Sequence, residues 1–253
     1  MPSPFNTFDS QRDRFAADLI AFLGAGNVRV LVFPEPGDTT TTTDRSVAAR
    51  TVTWNTSIAN RLNPLGMGLG ITFGDTTDYG TIPDAANLSF GDGSTDSAFS
   101  LIVLANVTNS AATRELVVKS AAGATNEEYR FFIDASDLLL LSLTDNSTSG
   151  TRGRTTSAAI TMGAYRVFAA TYDGSESGNG IRLYQNGAVL TSTATSSSSY
   201  TAMENLTGTL NIGSNLSSYL DGRIALVLLV AAELSPAAIY WVSRLILQHH
   251  GLV

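Results

Sequence analysis

The chain has 253 residues, 43% of them hydrophobic and only 15% charged, and its net charge of −7 sets 22 acidic residues against fourteen arginines and one lysine, Lys119. An acidic surface without a basic patch speaks against nucleic acid and anionic membranes as partners, and the absence of cysteine excludes disulfides and thiolate metal sites. The start, Met1-Pro-Ser-Pro-Phe5, lacks a basic segment leading into an apolar core, and the longest apolar run, Ile224 to Ala232, has nine residues, short of the ~20 a membrane helix needs; the expectation is a soluble protein made in a cytoplasm without a signal peptide.

Residues 10–23 carry a helical pattern, with Ser10 as N-cap, Asp13 at N3, and Phe15, Leu19, Phe22 and Leu23 recurring on one face before Gly24. Two roles are open to this helix. It packs on its own domain, or residues 1–26 form an arm whose stripe Phe15, Leu19, Phe22 and Leu23 docks on a partner, with residues 27–253 as the domain proper. Val28 to Phe33 is a strand ended by Pro34 and Pro36, the threonine run Thr39 to Thr43 an exposed loop, and Ala49 to Trp54 another short strand. Gly66-Met-Gly-Leu-Gly70 is no dinucleotide loop, since the glycines precede the alternating strand Leu69, Ile71, Phe73 instead of linking a strand to a helix.

Phe99 to Asn106, Glu115 to Lys119, Glu128 to Ile133 and Leu138 to Leu143 read as strands, the last two joined at Ala135-Ser136-Asp137. Thr151-Arg152-Gly153-Arg154 reads as a basic solvated turn. The strand from Tyr165 to Tyr172 closes at Asp173-Gly174, and Ile181 to Gln185 stops at Asn186-Gly187, a strong type I′ hairpin signal. Thr191 to Thr201 is almost entirely serine and threonine and reads as a mobile or surface-hugging segment. Thr209 to Ile212 is a strand. The next, Ile224 to Leu229, is apolar enough that both its faces must be covered. Ser235 caps a final helix with Pro236 at its first position, and His249-His250 close it, where charge would favour the helix dipole.

Several of these stretches, in order, resemble the laminin-G-like domains of the concanavalin A-like lectin/glucanase superfamily. They are Leu69 to Asp84, Phe99 to Asn106, Glu115 to Lys119, Ala170-Thr171-Tyr172-Asp173-Gly174, Leu183-Tyr184-Gln185-Asn186-Gly187, Leu210 to Gly213, Tyr219 to Leu229 and Leu234 to Ile239. The resemblance covers roughly residues 66–247 and implies an all-β fold, an antiparallel β-sandwich of the concanavalin A-like jelly-roll type, here with an N-terminal and a C-terminal helix. Tyr165 stands where the family has Trp, and Val167-Phe168 where it has histidines.

Glycosidases of this superfamily use a Glu-x-Asp-x-Glu strand, and the chain has none; Glu127-Glu128 are adjacent, so on a strand they point to opposite faces. No Gly-x-Ser-x-Gly elbow occurs. Some relatives hold Ca²⁺ in loops, which leaves calcium open, with Asp75 and Asp78 as the first candidates and Asp92, Asp96, Asp173 and Asp221 in other oxygen-rich turns. For a glycan, the candidates are Tyr79, Tyr200, Asn215 and Tyr219. Three functions compete: a virion structural protein, a carbohydrate-binding lectin and a glycosidase. The composition resembles that of tailed-phage accessory proteins of the capsid decoration or fibre type. The favoured expectation is therefore a non-enzymatic, homo-oligomeric virion protein displayed on the virion surface, docking on self-assembling proteins and gripping a surface glycan, with a lectin module as the alternative.

Overall fold

The computed structural model of the chain describes residues 5–33, 38, 40–55, 61–62, 69–74, 77–108, 111–121 and 126–253, with the backbone alone for residues 5–10, 61–62 and 69. Among them the elements are α1 (Phe5–Leu23), β1 (Val28–Val32), β2 (Thr41–Thr43), β3 (Thr51–Trp54), β4 (Arg61–Leu62), β5 (Leu69–Gly74), β6 (Gly80–Ile82), β7 (Phe99–Val107), β8 (Arg114–Ser120), β9 (Tyr129–Ile133), β10 (Leu139–Asp145), β11 (Gly150–Thr156), β12 (Tyr165–Tyr172), β13 (Ile181–Gln185), β14 (Ala188–Val189), β15 (Ser192–Ser197), β16 (Thr209–Ile212), β17 (Asp221–Val230) and α2 (Pro236–His249). They form two antiparallel sheets. The first runs β14-β13-β12-β7-β17-β5-β4, with β1 also pairing β17; the second runs β15-β11-β10-β9-β8-β16-β6-β3-β2.

Strict alternation makes the inner layer. Tyr129, Phe131 and Ile133 on β9 and Leu139, Leu141 and Leu143 on β10 all point at the first sheet, while their neighbours in sequence are half-exposed. From the other side come Phe99, Leu101 and Val103 of β7, Phe168, Ala170 and Tyr172 of β12, and Ile181 and Leu183 of β13. The Asn186-Gly187 turn has φ of 52° and 83°, as a type I′ hairpin requires.

The strand β17 is buried on both faces. Ile224, Val227 and Leu229 join the inter-sheet core, whereas Ala225, Leu226, Leu228 and Val230 face outward into a second apolar cluster. A bulge between Ile224 and Leu226 in the pairing with β7 switches the parity. The cover on that outer face is helical. From α1 it receives Phe15, Ala16, Leu19 and Leu23, and from α2 Ile239, Val242, Ile246 and Leu247. Ser235 caps α2 by accepting from the Ala238 N–H at 3.2 Å, with Pro236 in the first turn.

Three expectations change here. The helix α1 starts at Phe5, not after Ser10, because nothing in the preceding turn breaks a helix and propagation is cheap once a nucleus exists. Phe15, Leu19, Phe22 and Leu23 do not form a free docking stripe: Phe15, Leu19 and Leu23 are buried against the outer face of the chain's own sheet, and only Phe22 is exposed, at 56%. The threonines 41–43 are an edge strand instead of a loop.

The histidines also differ from their expected role. The Phe15 ring stacks on His249 at 4.0 Å and meets His250 edge-on at 6.3 Å, and His250 Nδ1 lies 2.9 Å from the Ile246 carbonyl oxygen. Burial, together with the neighbouring charge of Arg12, holds both below the usual histidine range, with His250 also depressing His249, which falls to about 4. They are neutral packing groups at pH 7 and not dipole-compensating cations.

Two outcomes follow from the helical layer. Leu19→Ala should cost about 2–5 kcal/mol in urea denaturation, and removal of residues 1–26 should leave an aggregating chain instead of a soluble sandwich, because the outer face of β17 loses its cover. Since the folded pKa of His249 lies below its unfolded value of 6.5, its contribution is complete above pH 6.5 and is lost as pH falls toward about 4. The urea midpoint should drop over that window, and His249→Leu should remove this part of the slope, which separates it from Asp96, Glu115, Glu127 and Glu128, whose raised carboxyls act in the opposite direction.

Candidate binding groove

At the end of the sandwich where β7 begins and β12 ends, one carboxylate gathers three loops. Asp96 Oδ2 accepts from the hydroxyls of Tyr172 at 2.6 Å and Tyr200 at 2.7 Å, and Oδ1 accepts from the Met203 N–H at 2.8 Å. Its own N–H donates to Glu176 Oε1, whose backbone N–H in turn donates to the Tyr172 hydroxyl at 2.7 Å. Burial pushes the Asp96 carboxyl up against the pull of these donors, and burial beside Asp96 pushes both tyrosines up. A second carboxylate, Asp145, accepts from the Thr201 and Thr148 N–H groups and the Ser147 hydroxyl. Desolvation raises it, but these hydrogen bonds outweigh desolvation and hold it at about 2.

Beside this rim the inner face of the second sheet changes character. Leu143 pairs with Arg152 and Leu141 with Arg154, and antiparallel partners share a face. The leucine row of β10 thus gives way to an arginine row on β11. Arg154 is spent on construction: its Nε and Nη2 donate to the Ser192 hydroxyl (2.7 Å) and carbonyl (2.9 Å), and Nη1 donates to the Gly178 carbonyl at 3.3 Å. It thereby fastens β15 and the 3-10 turn Gly178–Gly180 to β11. A Cβ on Gly178 would run into the Gly153 carbonyl oxygen, so only glycine lets the turn come this close.

Between turn and sheet margin lies a groove of about 210 Å³ lined by Arg152, Ser177, Asn179, Thr195 and Ser196, with Gly178 and Ala194. Arg152 is held by one edge: Nη1 donates to the carbonyls of Thr151 (2.8 Å) and Ser198 (3.4 Å), while the guanidinium carbon sits 5.0 Å from the Tyr200 ring centroid. Neither Arg152 nor Arg154 forms an ion pair among the described residues. Arg152 and Arg154 therefore stand on a strand, not on the solvated turn expected from sequence, and the Ser/Thr segment after Thr191 supplies the neighbouring strand β15. The period-2 spacing of Arg152 and Arg154 was the signal, masked by the intervening glycine.

The expected glycan residues do not come together. Tyr200 is half-buried, its hydroxyl bound to Asp96 and its ring under Arg152. Tyr79, Asn215 and Tyr219 lie at the opposite end, where β6 starts and β16 finishes. Asn215 is buried and builds a turn, accepting from the N–H groups of Ser217 and Ser218. Tyr219 is half-buried and donates to the Leu216 carbonyl at 3.4 Å, and Tyr79 is half-buried and paired with Asn55. Of the calcium candidates, Asp78 accepts from the Gly74 N–H at 2.8 Å, and Asp75 lies outside the described residues. Among the described residues no three His, Cys, Asp or Glu side chains gather as a metal site. Glutamates on the second sheet have structural partners: Glu115 takes a forked pair from Arg130, Glu128 faces Lys119 at 3.0 Å and the Leu206 N–H, and Glu127 accepts from the Thr144 hydroxyl.

A laminin G family model described as the concanavalin A-like lectin/glucanases superfamily matches residues 74–240. No curated protein matches at a significant level. Among solved structures the chain is similar to the binding domain of Paraclostridial Mosquitocidal Protein 1 (TM-score 0.63, 12% identity, 87% of this chain and 52% of that one). It is also similar to a botulinum neurotoxin type C structure, a toxin whose cell entry depends on two ganglioside molecules (0.64, 10%, 89% and 52%). A third is the ligand-binding domain of botulinum neurotoxin serotype D in complex with N-acetylneuraminic acid (0.59, 13%, 89% and 52%). The chain spans about half the length of these structures.

The Asp96 knot is expected to behave as a unit. Tyr200→Phe removes one hydrogen bond and should cost about 1 kcal/mol, whereas Asp96→Ala leaves two buried hydroxyls and an N–H without an acceptor and should cost about 3 kcal/mol or more. Thermal denaturation of the two single variants and the double variant checks this, with strong non-additivity as the expected result.

Proposed function

The chain belongs to the concanavalin A-like lectin/glucanase superfamily, and from that premise we propose that it is a non-catalytic binding module that grips a carbohydrate in the groove beside Arg152. The observation that carries this reading is the lining: the residues around one shallow concave site bring a guanidinium (Arg152), an amide (Asn179) and the hydroxyls of Ser177 and Ser196, the kind of donor and acceptor set that matches a sugar's hydroxyls. Two of the similar structures belong to toxins described with a ganglioside or N-acetylneuraminic acid. That likeness supports the reading at the level of the fold, since those chains are twice as long. The non-catalytic part rests on Glu115, Glu128 and Glu127, which are buried and engaged by Arg130, Lys119 and Thr144 in turn, and none of which is among the residues lining the groove.

One observation favours a second reading. On the helical layer Phe22, Tyr240 and Trp241 are exposed, the tryptophan at 64%, around a groove shared with Leu245 and Gln248. Such a patch suits assembly onto another protein, as in a virion accessory protein of the decoration or fibre type. That protein would be made in the host cytoplasm, oligomerise and be carried on the virion surface, with glycan adhesion as an added task.

A glycan array probed with the labelled full chain should give saturable binding to a defined class of saccharide, and incubation with β-glucan, laminarin or agarose should release no reducing sugar. Release that disappears in Glu115→Gln or Glu127→Gln would replace the binding module by a hydrolase. An array without signal, together with copurification on assembled particles, would hand the function to the second reading.

A further inference from the structure

We infer that the groove selects an acidic saccharide, with the sugar's carboxylate received by the open edge of Arg152; this rests on the carbohydrate reading above and narrows it. The first reason is electrostatic. The protein carries a net charge of −7, yet this groove presents an arginine that forms no ion pair among the described residues. Arg130 and Arg114, elsewhere on the same sheet, each meet a carboxylate of the chain itself, Glu115 and Asp137. A guanidinium left without a counter-charge and facing a concavity is matched by a carboxylate from outside, which its planar fork binds through two parallel hydrogen bonds.

The second reason is preorganisation. Nη1 is occupied by the Thr151 and Ser198 carbonyls and the ring of Tyr200 lies under the guanidinium, so the side chain is already oriented and little rotamer freedom is lost when a ligand arrives. Arg154 contributes as a positioning residue through its bonds to Ser192 and Gly178, which set the groove walls. The third reason is what the site lacks. The ring of Tyr200 is covered by Arg152, and among the described residues no aromatic lines the cavity, so a neutral hexose finds no stacking platform here. Recognition falls to charge, with Ser177, Asn179 and Ser196 left for the hydroxyls.

Titration calorimetry on the full chain tests this with two acidic probes, 3′-sialyllactose and digalacturonate, against their neutral counterparts lactose and galactobiose, and against acetate as a free carboxylate. At least one acidic probe should bind at least about tenfold more tightly than its neutral counterpart, acetate should not bind measurably, and the affinity should fall with added salt. Arg152→Gln should bring the acidic probe down to the neutral level, and Arg152→Lys should restore only part of the difference, since an ammonium lacks the fork. Asn179→Trp, at an exposed position, should fill the groove and abolish the same binding without touching Arg152. Unchanged affinity in Arg152→Gln and Asn179→Trp, or neutral probes binding as tightly as acidic ones, overturns the inference. Neutral glycans binding on the array while both acidic probes fail also overturns it but leaves the carbohydrate reading standing; no saccharide binding at all removes both.

Discussion

The strand β17 sets the terms for the rest of the molecule. Seven consecutive residues from Ile224 to Val230 are buried and all are apolar, so alternation cannot resolve them into an inner and an outer face with water on one side. One set, with Val227 and Leu229, needs a partner sheet; the other, with Leu226 and Leu228, needs something else. Both helices exist in their present positions to meet that second demand. They arrive by different routes: β1 pairs with the far half of β17 and brings α1 with it, whereas α2 follows β17 directly in the chain. A two-layer sandwich would have been sufficient for the first set alone. The third layer is the consequence of a single strand that cannot face water.

Much of this was legible in the residues themselves, because the signals were local. Asn186-Gly187 can only be comfortable with two left-handed residues, and it has them. The Ser235-Pro236 start of α2 is a capping pattern that needs no tertiary information. The run after Ile224 announced that both its faces would be covered. What sequence left undecided was the identity of the cover, since an amphipathic helix reads the same whether its apolar face meets its own sheet or a partner, and Leu19 settles it only once its burial is seen.

The groove was illegible for a different reason. Its parts are Arg152, Ser177, Asn179 and Ser196, separated in sequence and drawn from segments whose composition signals turns. Charged and hydroxyl residues in a strand suggest exposure, and sequence cannot say that β11 turns its arginines toward the turn Gly178–Gly180 and the strand β15. Tyr200 illustrates the converse. An aromatic in a Ser/Thr-rich segment looks like a sugar platform, but its hydroxyl is claimed by Asp96 and its ring by Arg152. The polar knot and the groove are therefore one construction: the knot fixes the loops, and the arginines use the space those loops leave.

The second sheet also ends in an unusual way. Its two outermost strands are Thr41–Thr43 and Ser192–Ser197, composed of threonine, serine and one alanine. Among the described residues neither has a strand paired on its outer side, and a free margin on a nine-stranded sheet is an invitation to continued growth. A further strand laid on either margin would exchange hydrogen bonds with water for hydrogen bonds with protein and bury almost no apolar surface in doing so. The sheet can thus be the widest element of the fold and still end at these two strands, its boundary guarded by hydroxyl groups instead of the charges that usually serve.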